Sequence, residues 1–202
     1  MDKATVVCVL KTGGEYTAEY VDRLYSGCMQ HGADDFICIT DDSEVNDICS
    51  TMPLLYDLPG WWSKLEMFRL DPGKFLYLDL DTVVVSDITD ILEYPHRFTM
   101  LRDFNARANR SASGVMAWQG NFAYLLTGFS TDQIPKYDPR QGGKLGDQVY
   151  ISDHLRTSPD HLQDIFPGSA VSYKWSTEEQ RRSSQLVCYH GRPRPHETGW
   201  RY

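Results

Sequence analysis

The sequence predicts an α/β fold, with a mostly parallel central sheet and helices on both faces, built as one domain over residues 1–202. Three observations predict it. Apolar, β-branched runs alternate with segments of helical periodicity. The first three elements read strand, helix, strand, an order that needs a right-handed crossover between parallel neighbours. At 202 residues and 41% hydrophobic, the chain is long enough to cover a sheet on both faces.

Thr5–Leu10 (TVVCVL) is β-branched and apolar throughout, as a central strand must be. Lys11-Thr12-Gly13-Gly14 is a turn. From Tyr16 to about residue 30, Tyr20, Val21, Leu24, Tyr25 and Cys28 recur at helical spacing, and Gly32 is the stop signal. Phe36–Thr40 (FICIT) is the second strand, and residues 54–58 are expected to form a third. Residues 60–70 read as a helix closed by Pro72-Gly73. Residues 75–80 (FLYLDL) read as a strand, with 82–85 continuing extended. A strand-like stretch at 98–101 leads into a polar loop over 101–113. Residues 114–118 then read as a strand, 121–128 as a short helix and 131–146 as a long loop. A helix over 147–155, strands over 171–175 and 186–190, and a polar, basic tail over 191–202 complete the chain.

Composition narrows the function. No apolar run approaches the roughly 20 residues of a membrane span, and the Thr5–Leu10 run is too short for a signal-peptide core. The five cysteines (Cys8, Cys28, Cys38, Cys49, Cys188) are odd in number and form no CxxC pair. This predicts reduced, buried thiols and a cytoplasmic protein, with no disulfide framework or zinc site. The net charge of −8 argues against nonspecific nucleic-acid binding as the main task. It is unevenly spread: residues 1–101 carry 7 basic and 18 acidic side chains, a balance of −11, and residues 102–202 carry 13 and 10, a balance of +3. Two readings fit this split: a solvated acidic face, or a second half that faces an anion such as a diphosphate or a nucleic acid.

The chemistry centres on Phe75-Leu-Tyr-Leu-Asp79-Leu-Asp81-Thr-Val-Val-Val. An apolar strand ends in two carboxylates one residue apart, which strand alternation would place on one side. Two such groups repel unless a cation lies between them. A hard divalent ion with oxygen ligands, Mn²⁺ or Mg²⁺, meets that need. Two solvated aspartates capping a turn are the plainer alternative.

This region resembles the DxD segment of glycosyltransferase family 8 and the glycogenin-like enzymes. Phe68-Arg69-Leu70, Pro72-Gly73 and Leu76-Tyr77-Leu78-Asp79-Leu80-Asp81 match the family pattern in order and spacing. Ser113-Gly114-Val115-Met116, Gly146-Asp147-Gln148 and Tyr189-His190-Gly191-Arg192-Pro193-Arg194-Pro195 resemble its later blocks. The last block is compressed: Gly191 directly follows His190, and Arg194 stands where the family has Lys.

The resemblance implies a small, divergent GT-A sandwich, a metal-dependent transferase that takes its sugar from a nucleotide-sugar, with UDP as the nucleotide and retention of configuration. It implies a metal held by Asp79, Asp81 and His190, with His196 a competitor for the third place. Leu10, Thr12 and Tyr16 would form the base-binding edge. Lys64, Arg69, Leu80, Ser113, Gly191 and Arg194 would contact the rest of the donor, Arg194 as a cation on the diphosphate. Asp103 would bind the donor sugar, and Asp147 and Gln148 would lie beside the reacting centre. Simpler readings stand next to these: Asp147 as a helix cap, Asp103 as a loop carboxylate paired with a neighbouring Arg, Lys64 and Arg69 as surface charges, His190 as a satisfied strand-end histidine and Arg194 as a solvated tail residue.

Two rivals remain. Hydrophobic-Asp-x-Asp-Thr-Val also resembles the phosphatase motif of the haloacid dehalogenase superfamily, although here a full β-α-β unit precedes it. A catalytically silent nucleotide-sugar or glycan binder on the same fold is the other. A saccharide ranks first as acceptor, ahead of a protein side chain, a lipid-linked sugar or a hydroxymethylated DNA base. Nucleic acid is permitted by Arg102, Arg107, Arg110, Arg181, Arg182, Trp175 and Trp200 in the basic half.

Overall fold

A computed structural model describes residues 3–70, 72–105, 107–108, 110–138 and 146–199. Strand β1 (Thr5–Leu10), helix α1 (Ala18–Gln30) and strand β2 (Phe36–Thr40) form the expected opening unit, with β1 and β2 parallel. Helix α1 ends where expected. Gly32 takes φ +102°, the left-handed region that favours glycine, and the Ala33 N–H closes back onto the Cys28 carbonyl at 3.0 Å.

The third strand is displaced from its expected place. β3 is Ser50–Pro53, parallel to β2, while residues 54–58 form no ladder. The reason is a side chain. The buried Glu66 carboxylate accepts the Leu55 and Tyr56 N–H groups at 2.7 and 2.9 Å, so they are not offered to a neighbouring strand. Glu66 lies on the helix over Gly60–Arg69, which is coiled as 3₁₀ turns with seven consecutive buried residues from Trp62 to Phe68.

Strand β4 (Lys74–Leu78) lies beside β1 in the sheet, and β5 (Thr82–Val84) leaves it for a second sheet. Helix α2 (Thr89–Glu93) precedes β6 (Phe98–Arg102). Strand β7 (Ser111–Gln119) is longer than expected and runs antiparallel to both β4 and β6. The short helix α3 (Tyr124–Thr127) follows.

The expected loop over 131–146 is partly helical. A Ser130–Gln133 capping box opens a turn over Thr131–Gln133, and α4 (Ile134–Tyr137) buries Tyr137. The rest of that loop, 139–145, lies outside the described residues. Helix α5 (Gly146–His154) takes the place expected for it. Strand β8 (Asp160–His161), helix α6 (Leu162–Ile165), strand β9 (Ala170–Ser172), helix α7 (Glu178–Ser183) and strand β10 (Leu186–Cys188) follow. The last two expected strands are thus shorter than 171–175 and 186–190; β9 ends because the chain turns after Ser172, whose carbonyl accepts the Trp175 and Ser176 N–H groups at 3.3 and 3.1 Å. Helix α7 has a readable start in the Thr177-x-x-Gln180 capping box.

Among the described residues the main sheet has seven strands in the order β3-β2-β1-β4-β7-β6-β8, and β5-β10-β9 form a small second sheet. Pairing within β3-β2-β1-β4 is parallel, so the expected α/β sandwich holds. Strand alternation divides the core. Val6, Cys8, Leu10, Leu76 and Leu78 pack against α1, α2 and the small sheet; Val7, Val9, Phe75 and Tyr77 pack against the 60–69 helix, α3 and α5. Cys8, Cys28, Cys38 and Cys188 are buried and Cys49 is half-buried. Among the described residues no helix is long and apolar enough to cross a membrane.

Candidate functional site

A cavity of about 920 Å³ opens beyond the carboxyl ends of β1 and β4, the edge where parallel sheets place ligands. Asp79, one residue past β4, continues the Phe75–Tyr77 face and so points toward the 60–69 helix. Its Oδ1 accepts from Tyr77 Oη at 2.7 Å and Lys64 Nζ at 2.9 Å, and its N–H bonds the Gly114 carbonyl at 2.8 Å. A Cβ on Gly114 would stand 3.3 Å from Asp79 Oδ2, so the glycine leaves room for that carboxylate.

Strand alternation stops at Asp79. The Thr82 N–H turns back to the Asp79 carbonyl at 2.9 Å, and Asp81 finds different partners. Asp81 is 5% exposed, and its Oδ2 accepts from Tyr16 Oη at 2.7 Å and Arg194 Nη1 at 2.6 Å. Burial and the nearby Asp79 charge push the Asp81 carboxyl up to about 7, against the pull of Tyr16 and Arg194. The Tyr16 phenol is raised by burial and by the Asp81 charge.

Lys64 is buried and bridges Asp79 and Asp147, its Nζ 3.1 Å from Asp147 Oδ2. Burial alone would lower the Lys64 pKa, but the Asp147 and Asp79 charges outweigh it and raise it. Ser113 joins this network, donating to Asp147 Oδ2 at 2.6 Å and standing 3.2 Å from Lys64 Nζ. Asp147 and Gln148 enter the cavity from the first turn of α5. Lys64 is therefore not the surface charge its simpler reading made it, and Asp147 is engaged by side chains across the site.

Leu10, Thr12, Tyr16, Leu80, Ser113, Asp103, His190 and Arg194 also line the cavity. Thr12 is fixed by Asp41, which accepts its N–H at 2.7 Å and its hydroxyl at 3.1 Å. Asp103 is held by Arg110 Nε at 2.7 Å, the pairing of its simpler reading. His190 Nε2 and Ser172 Oγ share a hydrogen bond at 2.7 Å, and the ring lies between Phe104 and Trp175, with ring centroids at 6.0 and 4.9 Å. Burial and then Lys174 lower the His190 pKa, which favours the neutral imidazole. Gly191 beside it has φ +72°, a turn that needs glycine.

Four expected residues are not on the cavity wall: Asp81, Gly191, Arg69 and His196. Arg69 is not among the lining residues; it pairs with Glu66 at 3.4 Å and donates to the Pro53 carbonyl. His196 is bound through Nδ1 to Tyr20 Oη at 2.5 Å and also lies off the cavity wall. Glu15, Tyr77, Trp61 and Trp175 line the cavity without having been expected there. Of these, only Tyr77 was signalled, lying two residues before Asp79 on the same strand face.

Of the five arginines in the basic second half that could face nucleic acid, four are engaged by other groups and Arg107 is exposed. Arg102 pairs with Asp164, Arg110 with Asp103, Arg182 with Glu178, and Arg181 donates to the Tyr173 and Ser176 carbonyls. Trp200 lies outside the described residues.

Asp79 and Asp81 are hard oxygen donors on one tight turn, the donor chemistry a divalent cation takes, and in this structure their bonded oxygens face separate partners, Lys64 and Tyr77 for Asp79 and Tyr16 and Arg194 for Asp81. Among the described residues no group of three His, Cys, Asp or Glu side chains is placed to hold a metal ion. Waters and ligand oxygens commonly complete such a shell.

No protein-family model and no curated relative matches the chain. Solved structures do match in fold. The glycosyltransferase GlyE of Streptococcus pneumoniae TIGR4 superposes with a TM-score of 0.66 at 14% identity, over 96% of this chain and 56% of that one. The galactosyltransferase LgtC, in complex with donor and acceptor sugar analogues, gives 0.67 at 10% identity, over 95% and 88%. A glycosyltransferase involved in glycosylating the major capsid of PBCV-1 gives 0.57 at 13% identity, over 97% and 98%. The chain thus spans just over half the length of GlyE and nearly all of the PBCV-1-related enzyme. At these identities the likeness is one of fold, the GT-A glycosyltransferase fold.

Proposed function

We propose that this chain is a metal-dependent glycosyltransferase that moves a sugar from a nucleotide-sugar, a UDP-sugar first among them, to a saccharide acceptor with retention of configuration, releasing the nucleoside diphosphate. One observation carries the reading: Asp79, Lys64, Ser113, Asp147 and Gln148, drawn from four separate parts of the chain, meet on one cavity wall in a fold shared with glycosyltransferases. That fold also sets the phosphatase reading behind this one.

Asp79 and Asp81 would hold Mn²⁺ or Mg²⁺, with His190 the candidate nitrogen donor on the same cavity. A bound divalent ion supplies Lewis-acid stabilisation to the departing diphosphate. The remaining work belongs to the chain. Thr12, held by Asp41, and the Leu10 edge would seat the base. Arg194 and Lys64 bring positive charge to the wall that faces the diphosphate. Lys64 also fixes the Asp79 and Asp147 carboxylates relative to each other, so neither must reorganise when substrate enters. Asp147 and Gln148 both line the cavity; Asp147 would favour positive charge developing on the sugar, and Gln148 would hydrogen-bond the sugar or the incoming hydroxyl.

The test is Mn²⁺-dependent hydrolysis of a panel of nucleotide-sugars. Wild type is expected to consume a UDP-sugar, and Asp79→Ala and Asp81→Ala to lose that activity while keeping native circular dichroism. Either variant retaining activity would count against the assignment. Turnover of p-nitrophenyl phosphate without nucleotide-sugar consumption would return the phosphatase reading to first place.

A further inference from the structure

Arg194 has two carboxylate partners, and only one of them belongs to the metal-binding turn. Its Nη1 donates to Asp81 Oδ2 at 2.6 Å. Its other edge forks onto Glu15, Nε to Oε1 at 2.8 Å and Nη2 to Oε2 at 2.9 Å, and its charge lies over the Tyr16 ring, 5.1 Å from the centroid. The two grips differ. The one on Glu15 is a parallel two-point fork, whereas the one on Asp81 is a single bond shared with Tyr16 on the same oxygen.

Arg194 also stands in the way. It lines the cavity, whereas Asp81 lies behind, beneath Tyr16 and Arg194. The backbone around Arg194 is fastened independently of its guanidinium. The Arg194 N–H bonds Glu197 Oε2 at 2.6 Å, and the neighbouring His196 is tied to Tyr20 at 2.5 Å. The guanidinium can therefore turn without the segment letting go.

We propose that Arg194 and a divalent cation compete for Asp81, and that Glu15 is a positioning residue whose two-point grip keeps the displaced guanidinium at the cavity wall to meet the donor diphosphate. The inference rests on the metal-dependent reading above. A cation and a guanidinium on one buried carboxylate oxygen repel at short range. A diphosphate gives the released guanidinium a new anionic partner. Metal and nucleotide diphosphate therefore favour each other's binding by more than their direct contact, and by linkage the effect is reciprocal.

Isothermal titration with MnCl₂ and with UDP tests this on the whole chain. Arg194→Gln is expected to bind Mn²⁺ alone on the order of tenfold more tightly than wild type, because a competing charge is gone. Its Mn²⁺–UDP coupling should shrink. Glu15→Gln keeps the arginine but loses the fork, and its UDP affinity at saturating Mn²⁺ should fall about fivefold. Arg194→Lys keeps a charge that cannot span both carboxylates, so its Mn²⁺ affinity should lie between wild type and Arg194→Gln; it carries the comparison if Arg194→Gln fails to fold. Mn²⁺ affinity no higher in either Arg194 variant, or unchanged UDP affinity in Glu15→Gln, overturns the proposal while leaving the metal reading intact. Absence of Mn²⁺ binding to wild type even with UDP present overturns both.

Discussion

Replacing Lys64 with Met removes the ammonium that Asp79 and Asp147 share, 2.9 and 3.1 Å from their oxygens. Met has nearly the same volume, so the loss is of charge rather than of packing. Asp147 is 8% exposed and keeps the Ser113 hydroxyl as its remaining side-chain donor; breaking such a buried pair costs about 3–5 kcal/mol. The Asp79 side chain is 33% exposed, and water reaching it moves the total toward the lower end, roughly 3 kcal/mol. For a domain of this length, each kcal/mol shifts Tm by about 2–4 °C, giving an expected fall of about 6–12 °C. Urea unfolding followed by tryptophan fluorescence measures the free energy, with m unchanged if only stability moves. Adding Asp147→Asn to Lys64→Met removes one stranded charge and should recover roughly half the loss, since contacting residues are not additive. A loss below about 1 kcal/mol, the range of an exposed ion pair, or no recovery in the double variant, would refute the bridging role of Lys64.

Asp81 predicts a pH dependence. Its folded pKa is raised to about 7 by burial and by Asp79, above the unfolded value of about 3.9. The folded state then binds more protons between those values, so this group's contribution to stability falls as pH rises through that window. In chelator, wild type should gain stability relative to Asp81→Asn between pH 8 and pH 5; parallel pH profiles would show that Asp81 does not titrate there. Glu66→Ala would strand the Leu55 and Tyr56 N–H groups and should cost about 2–4 kcal/mol by the same unfolding assay, with hydrogen exchange rising first at those two amides. Gly32→Ala would force φ +102° on an L-residue and place a Cβ 2.4 Å from Thr89 Oγ1, so a loss of about 1–3 kcal/mol in denaturant unfolding is expected. A neutral result would mean that Thr89 and the turn relax freely.

Much was legible in the residue order because it depends on local physics. The β1-α1-β2 opening followed from a period of two giving way to a period of 3.6, and the end of α1 followed from Gly32. Asp79 at a strand end, Lys64 on a helix and Asp147-Gln148 at the start of α5 all stood at readable positions. Where the reading slipped, a distant group had intervened. Residues 54–58 look like a strand, yet Glu66 takes two of their amides. Arg69 matches a motif, yet it pairs with Glu66 and Pro53.

The Asp-Leu-Asp turn shows the division most clearly. Residue order alone determined that two carboxylates close an apolar strand, because strand formation and apolar burial are set within a few residues. Only the tertiary structure decided what each carboxylate faces. A single backbone turn sends Asp79 to Lys64 and Tyr77, and Asp81 to Tyr16 and Arg194. Those partners are separated in sequence by up to 113 positions. No local pattern encodes such a meeting, since it depends on how the sheet order and the C-terminal segment bring remote side chains into one buried, weakly screened space.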